Sequence, residues 1–338
     1  MDVFECTKCG AALTAPVARV PLPPEAHGGY GHDAMPPLME PGTYAVDPLP
    51  SGFPYRLWAD VEKADAEAQG VFAPVRSVSF GPAGRILIAP GDTRGTVLIP
   101  EHSGDSCLGM CAGEKPNMAC AACGSLVASR EDDCGMWQAV WMEPDAVRRV
   151  PTGRPAPAPV FIPLPPESPG GGWSDRWSGA AGAALAHLLA ASGGDRVELP
   201  GGYAELMFAR VVEALLPSDG PARRVGVAGP GVPADGNLDI ALVPAGAPDA
   251  AGGALPVPLP DGVWACLALP GETSPLPATG VLPGGVLRDD YPVPDRPGWL
   301  FAIDYRVFFR TLSRLPEVRQ PWLRALYDEL RSTHPWWW

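Results

Sequence analysis

Lysine is scarce in this sequence. Of the 25 basic residues among its 338, only Lys8, Lys63 and Lys115 are lysine, whereas 38 residues are acidic and the formal charge is −13. A chain of that sign repels phosphate groups, so attachment to nucleic acid or to an anionic membrane through bulk charge is disfavoured. Few lysines beside abundant alanine, glycine, proline and arginine are typical of a high-GC bacterial genome.

Long apolar runs are missing as well. No stretch reaches the roughly 18 apolar residues that a membrane-spanning helix needs. The segment 1–6 offers neither a basic region nor an apolar one, so we expect no signal peptide and a cytoplasmic location. The eight cysteines of a cytoplasmic protein are expected to be thiols or metal ligands rather than disulfides.

The common catalytic signatures are absent too. The Gly-x-Ser-x-Gly elbow, the His-Glu-x-x-His motif and the Walker phosphate loop do not occur. A zinc-deaminase pattern also fails, because no His-x-Glu precedes the Cys-x-x-Cys pair at 120–123. The motifs therefore leave open whether the protein is an enzyme.

Proline and glycine contribute 44 and 40 residues, and they concentrate in one stretch. Between residues 151 and 172, 12 of 22 positions are proline or glycine, a composition that excludes a helix and favours an extended linker. We therefore expect a first domain over 1–150, this linker over 151–172, and a second domain over 173–338.

The first half is rich in short β runs. They lie at 75–80, 85–89, 96–99, 126–129 and 136–142. Connectors rich in glycine and proline separate the first three runs, which predicts an antiparallel meander, and the last two runs predict a further strand pair. In the last run, Trp137, Ala139 and Trp141 should face one side of the sheet and Val140 and Met142 the other.

The second half combines helical and β patterns. Apolar spacing predicts helices over 178–192, 203–216, 304–315 and 321–331, and β-rich runs predict strands at 224–228, 238–243, 263–269 and 300–303. The connections between the middle strands show no helical period, whereas parallel strands usually need a helical crossover. We therefore expect the class α+β: a mostly β first domain, and an α+β second domain whose sheet is antiparallel or mixed rather than doubly wound.

One five-residue motif occurs twice, as Cys6-Thr7-Lys8-Cys9-Gly10 and as Cys120-Ala121-Ala122-Cys123-Gly124. Two residues between thiolates let both sulfurs reach one metal at about 2.3 Å, and the glycine permits a turn whose N–H groups face sulfur. Neither copy opens a helix beside a βαβ unit, as a redox dithiol does. Cys6, Cys9, Cys120 and Cys123 therefore predict one tetrahedral, structural zinc ion, with iron as the alternative.

On these motifs the chain resembles the zinc-ribbon class with rubredoxin-like knuckles, and more broadly the uncharacterised zinc-ribbon proteins of actinobacteria. The resemblance implies a metal-binding structure and no particular activity. It covers only the two motifs, and the 110 residues between Cys9 and Cys120 are far more than a plain ribbon has. The β runs between them would be an insertion whose ends the ion holds together.

The other cysteines include a candidate second metal site. Its ligands would be His102, Cys107, Cys111 and Cys134, a chemically acceptable Cys₃His set; free thiols near a packed histidine are the alternative. His27 and His32 occupy a loop rich in glycine and proline and are expected at the surface.

Features near the C-terminus indicate a protein partner or a homo-oligomer. They are Arg306, Arg310 and Arg314, at i, i+4 and i+8 on one helix face, and the run Trp336, Trp337 and Trp338. A solvated arginine face and docking of the tryptophans within the chain are the alternatives.

We therefore expect a zinc-stabilised interaction or regulatory protein. The alternative is an enzyme with an interdomain site that uses His102, Cys107, Cys111 or the turn at Asp132 and Asp133. A zinc-ribbon nucleic-acid binder is a second alternative, which the charge disfavours.

Overall fold

The computed structural model describes residues 1–29, 31–104, 107–168, 172–269 and 301–333. Unit 1 of the chain comprises Met1–Pro159 and Ser313–Arg319, and unit 2 comprises Val160–Leu312 and the described residues from Gln320 onward. The division between Pro159 and Val160 falls within the stretch 151–172. No helix within the described ranges is long and apolar enough to cross a membrane.

Unit 1 is built mainly from short strands. They are β1 Asp2–Cys6, β2 Ala18–Arg19, β3 Thr43–Val46, β4 Tyr55–Leu57, β5 Ser77–Ser79, β6 Ile86–Ile88, β7 Thr96–Leu98, β8 Met118–Cys120, β9 Leu126–Glu131, β10 Ala139–Met142 and β11 Val147–Pro151; helix α1 is Lys63–Ala68. Seven of them form one sheet in the order β2-β3-β6-β10-β9-β8-β7, while β1 pairs with β11 and β4 with β5. All these pairings are antiparallel except β2 with β3.

The predicted meander of three consecutive strands is wrong. Strand β5 pairs with β4, β6 lies between β3 and β10, and β7 forms an edge beside β8. The reason is visible in β6, where Ile86, Leu87 and Ile88 are all buried and therefore need cover on both faces of a central strand. The predicted pairing of the last two β runs is confirmed, because β9 and β10 are antiparallel neighbours.

Apolar side chains cover both faces of the seven-stranded sheet. Val140 and Met142 belong to one buried cluster, which also contains Cys6 and Cys120. The other cluster contains the remaining alternating residues of this region, Trp137, Ala139 and Trp141. The predicted alternation is therefore confirmed, and the first cluster is the one that borders the cysteine motifs.

Unit 2 contains both helices and strands. Its elements are α2 Asp175–Ser192, β12 Arg196–Glu198, α3 Tyr203–Leu215, β13 Ala222–Val227, β14 Ile240–Pro244, β15 Leu255–Leu259, α4 Asp261–Ala268, α5 Tyr305–Leu312 and α6 Pro321–Thr333. The predicted helices and the first two predicted strands of this half are confirmed, with shifted ends.

The sheet of unit 2 corrects the expected topology. Its order is β12-β13-β14-β15, and all three pairings are parallel. The expectation of an antiparallel or mixed sheet is therefore wrong for this unit. The chain as a whole still has helices together with mixed and antiparallel sheets, which is consistent with the predicted α+β class. The two crossovers at 228–239 and 245–254 contain no α-helix, so a missing helical period did not exclude parallel strands.

Two further predicted strands of unit 2 are wrong. Residues 263–269 lie mostly in helix α4, where Val263, Trp264, Ala265 and Cys266 are all buried. A short run that is apolar on every side has no periodicity that separates a buried helix from a buried strand. Residues 301–303 are irregular, and position 300 lies outside the described residues.

Candidate metal centre

Both cysteine motifs begin where a strand ends, β1 at Cys6 and β8 at Cys120. In each, the first cysteine N–H donates to the carbonyl oxygen five residues later, and the glycine N–H donates to the carbonyl of the first cysteine. The bonds are Cys6 to Ala11 (2.9 Å), Gly10 to Cys6 (2.9 Å), Cys120 to Ser125 (2.8 Å) and Gly124 to Cys120 (2.8 Å). The φ angles of Gly10 and Gly124 are 74° and 72°, in the region that favours glycine. The two motifs therefore fold as the same turn.

The segment 92–95 joins the two turns. Two hydrogen bonds join it to the chain after the first turn, from Ala15 N–H to Asp92 O and from Arg94 N–H to Leu13 O. A third joins it to the second turn, from Ala121 N–H to Gly95 O, and each of the three is 2.8 Å long. A β-carbon on Gly95 would lie 2.8 Å from the Ala12 carbonyl oxygen, so only glycine permits this close approach.

The four thiols of the two turns meet, and we refer to Cys6, Cys9, Cys120 and Cys123 as the four-cysteine group. The sulfur of Cys6 lies 3.7 Å from that of Cys123, and the sulfur of Cys9 lies 3.6 Å from that of Cys120. All four sulfurs lie within 4.8 Å of one another. Four sulfurs at about 2.3 Å around a tetrahedral ion would be about 3.8 Å apart, so the group has the dimensions of a metal site.

The four-cysteine group lies at the edge of the core. Cys6 and Cys120 are buried within the apolar cluster on one face of the sheet, whereas Cys123 is half-buried and Cys9 is exposed. Two ligands are thereby held by packing, and an ion can enter from the exposed side.

The pKa values of two of these thiols move in opposite directions. The pKa of Cys123 is lowered to about 6, first by the Ser125 hydroxyl, 3.4 Å away, and then by the Ser125 backbone N–H. The Ala11 backbone N–H lowers the pKa of Cys9, but burial and the neighbouring thiols outweigh it and raise this pKa to about 12. Four adjacent thiols resist joint ionisation, and a bound cation would stabilise the thiolates.

A second group of metal-ligating side chains lies in the loops of unit 1. Ligand atoms of Cys107, Asp133 and Cys134, which we call the loop cluster, lie within 4.8 Å of one another. The pKa of Cys134 is raised, first by its hydrogen bond with Cys107 and then by burial. His32, expected only as a surface residue, has its Nδ1 3.8 Å from the Cys134 sulfur.

The predicted second site is thus brought together only in part. Cys107 and Cys134 meet, but the group does not include His102 or Cys111. The Nδ1 of His102 lies 2.8 Å from the carbonyl oxygen of Pro116. The sulfur of Cys111 lies 3.5 Å from that of Met136.

A charged cavity in unit 1, partly open to solvent, has no counterpart in the sequence predictions. Its volume is about 100 Å³, and its lining includes Arg85, Glu131 and Glu143. Arg85 forms an ion pair of 3.0 Å with Glu143, and the indole N–H of Trp141 lies 3.3 Å from Glu131. Burial raises the pKa of Glu131, although the Arg85 charge and the Trp141 N–H lower it. The signal in the sequence is a charged residue at one end of each of three strands: Arg85 before β6, Glu131 at the end of β9 and Glu143 after β10.

His27, expected at the surface, belongs to a largely buried pair. Its Nε2 lies 2.8 Å from Asp47 Oδ2, and the exposed fractions of the two side chains are 17% and 4%. The imidazole also stacks on Trp141, with ring centroids 5.0 Å apart. Burial raises the pKa of Asp47, but the His27 contact and the Leu49 N–H outweigh it and lower the pKa overall.

The other residues singled out by sequence are distributed along the chain. Arg306 and Arg310 lie on α5, the first exposed and the second half-buried, whereas Arg314 follows the end of that helix in the segment grouped with unit 1. The expected row of three arginines on one helix is therefore shortened to two. Asp132 forms an ion pair of 3.0 Å with Arg130.

The three terminal tryptophans predicted to contact a partner, Trp336, Trp337 and Trp338, lie outside the described residues.

Comparison with protein-family models, with curated proteins and with solved structures finds no match for this chain. The resemblance to zinc-ribbon proteins and to those of actinobacteria therefore stays a prediction, and the function must be argued from the geometry of the residues.

Proposed function

We propose that the four-cysteine group binds one Zn²⁺ ion with a structural role. The observation that carries this proposal is the pair of sulfur–sulfur distances, 3.7 and 3.6 Å, between two turns with the same hydrogen bonds. Four thiolates fill a tetrahedral zinc ion and leave no position for a substrate, as in structural zinc sites. Iron accepts the same ligands, so the metal itself needs a direct measurement.

Metal analysis of the purified chain tests this proposal. We expect zinc in the parent protein and the loss of one equivalent in Cys120→Ser, because serine does not replace a buried thiolate ligand. Cys111→Ser is the control, since Cys111 is outside the four-cysteine group. Retention of the parent's full metal content by Cys120→Ser, or purification with iron instead of zinc, would contradict the assignment.

For the chain as a whole we propose a cytoplasmic interaction or regulatory protein. Support comes from an exposed apolar row on unit 1: Phe53, Tyr55 and Leu57 are 45%, 47% and 57% exposed. Tyr55 and Leu57 alternate along β4 and share a face, and the ring of Phe53 packs edge-on against that of Tyr55, with centroids 5.1 Å apart. Contiguous exposed apolar surface is typical of interaction sites. The net charge of −13 argues against a zinc-ribbon nucleic-acid binder.

Self-association is the direct test of this role. We expect the mass in solution to fall when Phe53, Tyr55 and Leu57 are all replaced by serine, or when the chain is truncated before Trp336. Light scattering after size-exclusion chromatography measures that mass, and circular dichroism verifies the fold. A parent protein that is monomeric at every concentration would contradict the homo-oligomer form of the proposal.

The second candidate is an enzyme or a small-molecule binder, and the charged cavity is the observation that favours it. Buried Arg85 and half-buried Glu131 beside exposed Tyr55 would suit a small polar ligand such as a free amino acid. The earlier candidates His102, Cys111 and Asp132 have separate partners and give this function less support. An amino acid that raises the Tm of the parent but not of Glu131→Gln would favour this candidate.

A further inference from the structure

The loop cluster combines three chemically different side chains in a small volume. Cys107 and Cys134 offer sulfur and Asp133 offers oxygen, all within 4.8 Å of one another. Around a tetrahedral zinc ion, sulfur ligands would be about 3.8 Å apart, so the observed spacing needs a closure of about 1 Å or less.

The loops that carry this cluster are held to each other by hydrogen bonds that backbone N–H groups donate. The N–H of Leu108 donates to Asp133 Oδ1 over 2.7 Å, and the N–H of Asp132 donates to the Met110 carbonyl over 3.1 Å. A carboxylate has two oxygens and can accept an N–H while it ligates a metal. The hydrogen bond from the Leu108 N–H therefore orients the Asp133 carboxylate and leaves it able to bind the metal.

A third loop supplies a fourth ligand. The N–H of Gly135 donates to the Asp33 carbonyl over 2.7 Å, which places the 31–33 segment beside Cys134. In this arrangement the Nδ1 of His32 is 3.8 Å from the Cys134 sulfur. Nitrogen and sulfur ligands of a tetrahedral zinc ion would be about 3.6 Å apart, so His32 is at ligand distance from Cys134. It lies outside the group within 4.8 Å, so its imidazole would have to shift toward Cys107 and Asp133 to complete the set.

We propose that Cys107, Asp133, Cys134 and His32 form a second zinc site, independent of the four-cysteine group. Zinc accepts this mixture of sulfur, nitrogen and oxygen, whereas calcium and magnesium require oxygen ligands. The ion cross-links three loops whose ligand residues lie outside the helices and strands, and so it adds rigidity to the few hydrogen bonds that already join them. This ligand set replaces two members of the Cys₃His set predicted from the sequence.

Metal content of single variants tests the site. We expect about two equivalents of zinc in the full-length parent and one equivalent in Cys107→Ser and in Cys134→Ser. Cys111→Ser is the matched control and keeps both equivalents, because its thiol lies on Met136 outside the cluster. Cys120→Ser loses the other equivalent, so failure of one site is distinguishable from failure of the other.

Affinity measurements on milder variants test the site even if a cysteine variant fails to fold. His32→Ala and Asp133→Asn each alter one ligand. In each we expect the affinity for Co²⁺ to fall tenfold or more at one of the two sites, and we expect Zn²⁺ to displace the cobalt. Unchanged metal content in Cys134→Ser would overturn the proposal. So would a Cys107–Cys134 disulfide found by non-reducing peptide mapping of the purified parent.

Discussion

Removal of the metal ligand Cys120 should destabilise unit 1 strongly. The ion proposed for the four-cysteine group joins Cys9 to Cys120, which are 111 positions apart. A cross-link that closes a loop of this length removes about 16 cal/mol/K of entropy from the unfolded chain, equivalent to about 5 kcal/mol at 25 °C. Since a domain is stable by only about 5–15 kcal/mol, Cys120→Ser should lose a large part of the stability of unit 1.

Calorimetry measures the effect directly. For a unit of this size, about 5 kcal/mol corresponds to a decrease of about 10–20 °C in Tm. Cys111→Ser should change the Tm of the same unit by only a few degrees, because the thiol that it removes is half-buried and belongs to neither metal group. If Cys120→Ser lost its zinc and still melted within about 2 °C of the parent, the ion would not be closing the loop, and the reasoning would be refuted.

Three other substitutions should raise or lower the free energy of unfolding in a direction that follows from the structure. The pKa of Glu131 is raised, so its contribution to stability is complete below the ordinary carboxyl pKa of about 4.3 and is lost as pH rises through the raised pKa. Glu131→Gln, which cannot ionise, should therefore stabilise the protein near pH 8. The pKa of Asp47 is lowered, so its contribution to stability is present above a pH of about 3.9 and is lost as pH falls through the lowered pKa. Asp47→Asn should therefore reduce the free energy of unfolding by about 1–3 kcal/mol at neutral pH and make stability depend less on pH in acid. Gly182→Ala should destabilise unit 2 by about 1–3 kcal/mol, although alanine usually favours a helix, because its β-carbon would clash with the Asp304 carbonyl oxygen and lie 3.1 Å from the Phe308 nitrogen. Urea unfolding across a pH series measures the first two effects, and thermal unfolding measures the third.

Each of these expectations has an outcome that contradicts it. Parallel stability–pH curves for Glu131→Gln and the parent would show that burial does not perturb this carboxyl. An Asp47→Asn protein as stable as the parent at neutral pH would show that the bond with His27 contributes nothing net. A higher Tm for Gly182→Ala would mean that α5 yields to the extra methyl group without loss of packing.

The sequence was informative where the chemistry is local. Two residues between cysteines and a following glycine determine a turn, and both copies of that turn are present with the same hydrogen bonds. The alternation of Trp137, Ala139 and Trp141 against Val140 and Met142 is likewise a property of one short strand. Such patterns are readable because the interacting groups lie within a few bonds of each other along the chain.

The sequence named Cys107 and Cys134 among the candidate ligands, but it did not indicate the rest of the loop cluster or the residues of the charged cavity. Cys107, Cys111 and His102 are near neighbours along the chain, yet Cys107 meets Cys134, which lies beside His32. The loops that carry these residues are joined by long-range hydrogen bonds. Glu131 is the last residue of strand β9, a position common for surface acids, and its desolvation depends on where Trp141 and Arg85 lie across the sheet.

The amino-acid sequence by itself determined the cysteine turns, most helices and the alternating faces of β10, because these depend on spacing within one segment. Only the tertiary structure decided the parallel sheet of unit 2, the place of β6 at the centre of its sheet and the pairing of Cys107 with Cys134. Strand partners and ligand sets depend on which distant surfaces bury the most apolar area together, and that competition involves the whole chain rather than any one segment.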